Sequence, residues 1–242
     1  SWTGGFFGMP YEKPVSQLRE AVLIIKKIIA ESHKGSMTNH DGRYYNLDFT
    51  ELQPTTPPLR DHVPIWISAL RGPMTRLGAE VGDGVIGHPI WTIDWLQNEI
   101  KNEIKAGLKK GNRQRSDIEV NCWFWMTPNN DRRESVEDAR AVVAFYAGID
   151  QYEPFFAAHG FGDICKLLQQ KIKNSNYLEA AHLIPDDMAS TFVLTGTPEE
   201  VRKRLEPAWE IADSVTLVPP VMSLPPEKTV SYVETIGQTF YE

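Results

Sequence analysis

Cysteine is nearly absent: the chain has Cys122 and Cys165 and no others. Two thiols build no disulfide framework, and without a C-x-x-C pair there is no cysteine zinc site. A reducing, cytosolic setting is therefore expected. Long apolar runs are missing too. The longest, residues 22–30, is split by Lys26 and Lys27 and falls far short of the ~20 residues of a membrane span. No basic segment followed by an apolar stretch heads the chain, so no signal peptide is expected. Positive charge is in deficit: 25 Lys and Arg stand against 32 Asp and Glu, a net charge of -7. That balance argues against a general nucleic-acid binder. His33, His40, His62 and His182 are scattered without metal-ligand spacing, so no metal site is expected. There is no fixed-period repeat and no low-complexity tract. An initiator Met is lacking as well, since the chain starts Ser1-Trp2-Thr3.

What is present is globular material. A chain with 41% hydrophobic residues holds enough apolar surface for a core, which argues against an intrinsically disordered chain. The 242 residues fit one α/β barrel, typically about 250 residues, or two small domains. Residues 14–30 carry Leu18, Val22, Ile25 and Ile29 on one helical face. A long proline-rich connection covers 31–63. Then follow a strand around Ile67, a helix over 74–81, a strand around Val85, and a helix with Leu96, Ile100, Ile104 and Leu108 four apart. A third strand covers 118–126, and a helix over 133–148 has Val136, Val142 and Val143 as core positions. Residues 149–192 break the rhythm with helical segments. Thr197-Pro198-Glu199-Glu200 combines a cap, an N-terminal proline and a capping box, so it starts a helix. A fourth strand lies around Val215, and a last helix, 227–240, shows Val230, Val233, Ile236 and Phe240 on one face. Strands alternating with helices make a parallel sheet. A closed barrel has eight strands, and four read clearly here.

Chemistry concentrates where strands end. In Ile67-Ser68-Ala69-Leu70-Arg71-Gly72-Pro73-Met74 a strand stops, glycine permits a sharp turn, and proline opens a helix. A helix start carries free N–H groups and the positive end of the dipole, so it can hold an anion, and Arg71 can add a charge-assisted contact. The same pattern also suits an ordinary strand-to-helix turn. His88, in Gly87-His88-Pro89, closes the second strand. It reads equally as a hydrogen-bonding group at a catalytic rim and as a structural histidine. His159 reads as structural. Trp123, Phe124, Trp125 and Met126 alternate between the two faces of the third strand; the inward ones either line a flat-ring site or belong to the core. Neither cysteine has an activating neighbour motif.

A series of motifs, in order, resembles the luciferase-like monooxygenase family, and within it the branch using the deazaflavin coenzyme F420. The series runs Gly42-Arg43-Tyr44-Tyr45, Pro64-Ile65-Trp66-Ile67-Ser68-Ala69, Gly72-Pro73-Met74, and Ala79-Glu80-Val81-Gly82-Asp83-Gly84-Val85. Gly87-His88-Pro89, Ala144-Phe145-Tyr146, His159-Gly160-Phe161-Gly162-Asp163 and Gly196-Thr197-Pro198-Glu199-Glu200-Val201 complete it. The resemblance implies an α/β fold, a TIM (β/α)8 barrel of the bacterial luciferase-like type. The four strands become its strands five to eight, with 149–192 as a helical insertion. It implies coenzyme F420, or alternatively FMN, with Ala69, Leu70, Arg71, Gly72, Pro73 and Met74 at the cofactor phosphate and His88 near the cofactor. The expected activity is hydride transfer between F420 and a small organic substrate. The alternatives are an FMN-dependent monooxygenase activating dioxygen and a non-catalytic half-barrel that binds a partner through open edges. A homodimer is expected by analogy. The first four strands of the family pattern are absent, so no catalytic residue carries over. The chain is expected to begin inside a longer one, after a fourth strand.

Overall fold

The computed structural model describes residues 13–54, 56–60, 62–172 and 176–241. The Ser1-Trp2-Thr3 start lies outside them. The chain divides into two units: residues 1–86 with 99–119, and residues 87–98 with 120–242.

In the first unit, helix α1 (Pro14–Glu31) begins with proline in its first turn, where a missing N–H costs nothing. A two-residue antiparallel hairpin, β1 (His40–Asp41) and β2 (Asn46–Leu47), follows it. Strand β3 (Trp66–Ala69), helix α2 (Gly72–Val81) and strand β4 (Gly84–Gly87) then form a strand–helix–strand unit whose strands are neighbours in the sheet. Val22 of α1, Ile67 of β3 and Leu77 of α2 make the core, with Val15 and Leu18 packed on it. The apolar stripe expected on α1 is used only in part, because Ile25 is 45% exposed. Helix α3 comprises Ile93–Trp95, a π-helical turn at Leu96–Ile100, and Lys101–Lys110. Its Leu96, Ile100, Ile104 and Leu108 are all buried, as their spacing predicts.

Strand β5 (Glu119–Pro128) organises the second unit. Its stretch from Asn121 to Trp125 pairs in parallel with β7 (Ser214–Val218). Its last three residues pair in parallel with β6 (Leu194–Gly196). The sequence does not announce β6: three residues are too few for a periodic signal, and they serve only the far end of β5. Along β5 the side chains alternate. Val120, Cys122, Phe124 and Met126 are buried, whereas Trp123 is 37% exposed and Asn121 is half-buried. Between β5 and β6 lie α4 (Arg132–Ala147), α5 (Glu153–Ala158), α6 (Gly162–Ile172), α7 (Tyr177–Ala180) and α8 (Asp186–Phe192). Helix α4 packs against α6, α7 and α8. Its cap is Asp131, which accepts the N–H groups of Arg133 (2.9 Å) and Glu134 (3.2 Å). Helix α9 (Pro198–Leu205) carries the expected capping box: Glu200 N–H donates to Thr197 Oγ1 (3.3 Å) and Thr197 N–H to Glu200 Oε2 (2.8 Å). Helix α10 (Pro226–Phe240) differs from its sequence reading. Val230 and Val233 are 56% and 53% exposed, and the buried edge is Tyr232, Ile236 and Thr239. The Tyr232 hydroxyl donates to Asp138 Oδ2 (2.8 Å), and Lys228 bridges Asp138 and Glu134, both at 2.7 Å. These polar ties go with a buried edge rotated away from the valines.

Glycine sets one close approach. A Cβ on Gly107 of α3 would press on the Arg76 carbonyl of α2 and lie 2.7 Å from the Ala79 Cβ. Gly107→Ala is expected to cost about 1–3 kcal/mol by overpacking. Gly237→Ala on α10, where a Cβ meets nothing within 4 Å, is expected to stabilise by up to about 1 kcal/mol through helix propensity. Urea unfolding of the two variants checks both signs.

Candidate functional site

Residues 69–74 lie in the first unit and His88 in the second. At the end of β3, Ala69 is buried and Arg71 is exposed and extended (φ -120, ψ 162). The Arg71 carbonyl accepts the N–H of Met74 (3.1 Å), the N–H of Thr75 (3.1 Å) and the Thr75 hydroxyl (3.3 Å). No side chain caps α2. Of its first three residues, Pro73 has no N–H and that of Met74 is spent on Arg71. An anion here would therefore meet the Gly72 N–H and the positive end of the helix. Gly72 also has a packing reason: a Cβ there would lie 2.9 Å from Glu103 Cγ. The Glu103 carboxylate beside the turn is held by Arg76 through Nε (2.6 Å) and Nη2 (2.7 Å), which offsets its charge.

His88 directly follows β4. Its Nδ1 accepts the Ile90 N–H (3.3 Å), so the ring proton belongs on Nε2, which faces the Tyr152 hydroxyl at 3.2 Å. The Tyr146 ring stands edge-on to the imidazole, with centroids 5.1 Å apart. Burial pushes the imidazole pKa down to about 4, and burial pushes the Tyr146 phenol up to about 12. The cluster is thus uncharged near neutrality. Tyr146 belongs to one of the sequence motifs, but only folding reveals its pairing with His88 and Tyr152.

The third strand resolves the ambiguity left by its sequence. Phe124 and Met126 are core; Trp123 and Trp125 stand on the opposite face with Asn121. Trp123 is in register with Thr216 and Trp125 with Val218. Asn121 donates through Nδ2 to Ser214 Oγ (2.9 Å) and accepts from Thr216 Oγ1 (3.2 Å). Trp125 is 9% exposed, and its indole N–H has no partner among the described residues. A buried donor without an acceptor costs about 1–3 kcal/mol, a cost that a ligand oxygen or nitrogen would remove. Two indole planes and one unspent N–H suit a flat ring carrying hydrogen-bond acceptors.

Other motif residues serve the scaffold. Glu20 accepts the N–H groups of Tyr44 (3.1 Å) and Tyr45 (2.9 Å), which fastens the Gly42-Arg43-Tyr44-Tyr45 turn to α1. Asp83 accepts the Ile65 N–H (2.8 Å) and the Lys26 ammonium (2.9 Å). Glu80 pairs with Arg19 and with Lys110. His159 donates from Nδ1 to the Phe155 carbonyl (2.9 Å) and takes the Thr92 hydroxyl at Nε2 (2.9 Å), a structural tie. Among the described residues, no group of three or more His, Cys, Asp or Glu is placed to hold a metal ion, and no helix is long and apolar enough to cross a membrane.

The lowered His88 pKa fixes a pH dependence. The unfolded imidazole titrates near 6.5 and the folded one near 4, so the unfolded chain binds the extra proton first. Stability is complete above about pH 6.5 and falls toward pH 4, by at most about 3 kcal/mol from this group. Urea unfolding across that window is expected to show the decline. His88→Gln is expected to be less stable at pH 7 and to lose part of the slope.

The luciferase-like monooxygenase model matches residues 3–212. The 5,10-methylenetetrahydromethanopterin reductase of Archaeoglobus fulgidus is 27% identical over 205 residues, 82% of this chain and 58% of its own length. A Mycobacterium tuberculosis protein provisionally named a coenzyme F420-dependent oxidoreductase is 25% identical over 235 residues, 88% of this chain and 65% of its own. The coenzyme F420 dependent tetrahydromethanopterin reductase of Methanopyrus kandleri superposes with a TM-score of 0.70 at 20% identity, covering 91% of this chain and 62% of that one. The chain thus spans less than two thirds of the length of each. Its α/β architecture and a family match along most of its residues make it a member of the luciferase-like monooxygenase family.

Proposed function

We propose that this chain belongs to an oxidoreductase that transfers hydride between coenzyme F420 and a small organic substrate. The observation that carries the proposal is the start of α2: a helix without a side-chain cap, directly after β3, with Arg71 beside it. That geometry supports a phosphate-bearing ligand. The named activities of relatives at 27% and 25% identity favour the deazaflavin as that ligand. The bound group supplies the two-electron chemistry. In this reading the chain's own residues bind and orient. The 69–74 turn of the first unit holds the phosphate; in the second unit Trp123 and Trp125 offer indole planes to a flat ring, and His88 offers a neutral hydrogen-bonding group. The four strands read from the sequence are strands five to eight of a barrel, and the Trp123 face of β5 is its interior.

Fluorescence titration of the protein with F420 and with FMN, separately, tests this reading. Tighter binding of F420 is expected. Arg71→Glu is expected to weaken it about ten- to hundredfold, the worth of a charge-assisted contact. Tighter binding of FMN would point instead to a dioxygen-activating monooxygenase, and binding of neither to a non-catalytic partner-binding module.

A further inference from the structure

The His88 cluster has a direction built into it. The Ile90 N–H occupies Nδ1 at 3.3 Å, which leaves Nε2 as the donor toward Tyr152, 3.2 Å away. The Tyr152 oxygen is then an acceptor, and its own hydrogen points away from the imidazole. Among the described residues the Tyr152 hydroxyl bonds to His88, with no acceptor for that hydrogen. Rings hold the phenol in place: the Tyr146 and Tyr152 centroids are 5.1 Å apart at 63°, and the His88 and Tyr152 centroids are 5.4 Å apart. Tyr152 itself is half-buried. His88 follows β4 immediately, at the strand's carboxyl end, where α/β enzymes place their chemistry.

We infer that the Tyr152 hydroxyl is a positioned hydrogen-bond donor for a carbonyl oxygen of the substrate, with His88 as the positioning residue that orients it. The inference deepens the hydride-transfer reading and rests on it for the reaction. Hydride arriving at the carbonyl carbon forms the new C–H bond. The carbonyl π pair moves onto oxygen, which keeps the Tyr152 hydrogen bond as charge develops and takes its proton from water. Burial pushes the Tyr152 phenol above its ordinary range, which suits a group that donates a hydrogen bond without ionising. The uncharged surroundings favour a neutral ketone or aldehyde over an ammonium substrate, because no carboxylate in the cluster would pair with a cation.

NMR of the protein labelled with ¹³C at tyrosine Cζ, titrated with butanone with and without F420, tests the donor. Tyr152→Phe assigns the signal. The Tyr152 resonance is expected to move with butanone, and Tyr152→Phe is expected to weaken butanone binding at least tenfold while F420 affinity stays within about twofold. His88→Ala is expected to weaken butanone binding similarly, and added imidazole to restore it, which a merely structural loss would not allow. An unmoved Tyr152 signal, or butanone binding by Tyr152→Phe as tight as in the wild type, would overturn the inference. If F420 fails to bind but butanone still moves Tyr152, the deazaflavin reading fails and the donor assignment stands.

Discussion

Helix α2 starts where it does because its backbone is pressed from the side. Gly107 lets α3 come up against the Arg76 carbonyl and Ala79, and Gly72 leaves room for Glu103 at the first turn. Leu77 fills the core with Ile67 and Val22. These contacts, rather than a capping side chain, hold the end of the helix in place. A helix start fixed by packing keeps its N–H and dipole available, whereas α9 spends its own on Thr197 and Glu200. The α2 turn is therefore usable as a binding site at no cost to the helix's own termination.

A second inequality lies in β5. On one of its faces Val120, Cys122, Phe124 and Met126 are buried, whereas Asn121 and Trp123 on the other remain partly accessible. An exposed indole next to a buried indole N–H with no partner among the described residues is an unfavourable surface for a protein to keep unless something fills it. The same logic applies at His88. A neutral imidazole fixed in one tautomer and a phenol with an unspent hydrogen are preorganised groups, and preorganisation matters when a ligand is to be held.

Local features were legible in the sequence. The capping box at Thr197 and Glu200, the Gly72-Pro73 helix start and the four-residue spacing from Leu96 to Leu108 act within a turn or two, so spacing alone reveals them. The alternation in 123–126 was visible, but not which pair faced the core, because that depends on where the helices pack. Strand β6 escaped because pairing with the end of β5, not its own pattern, makes it a strand. The rotation of α10 escaped because the Asp138 that draws Tyr232 inward is 94 residues away. The tyrosine partners of His88 escaped for the same reason: Tyr152 is 64 residues distant. The motifs that carried the family resemblance were legible as a family mark, yet Glu20, Glu80 and Asp83 show that several of them encode scaffold rather than chemistry.

The central claim is the proposal that the start of α2, at the carboxyl end of β3, seats a cofactor phosphate. A crystal structure of the protein grown with coenzyme F420 measures this most directly. The account predicts phosphodiester density at the 69–74 turn, against the Gly72 N–H. A cofactor bound with its phosphate away from the 69–74 turn would contradict it.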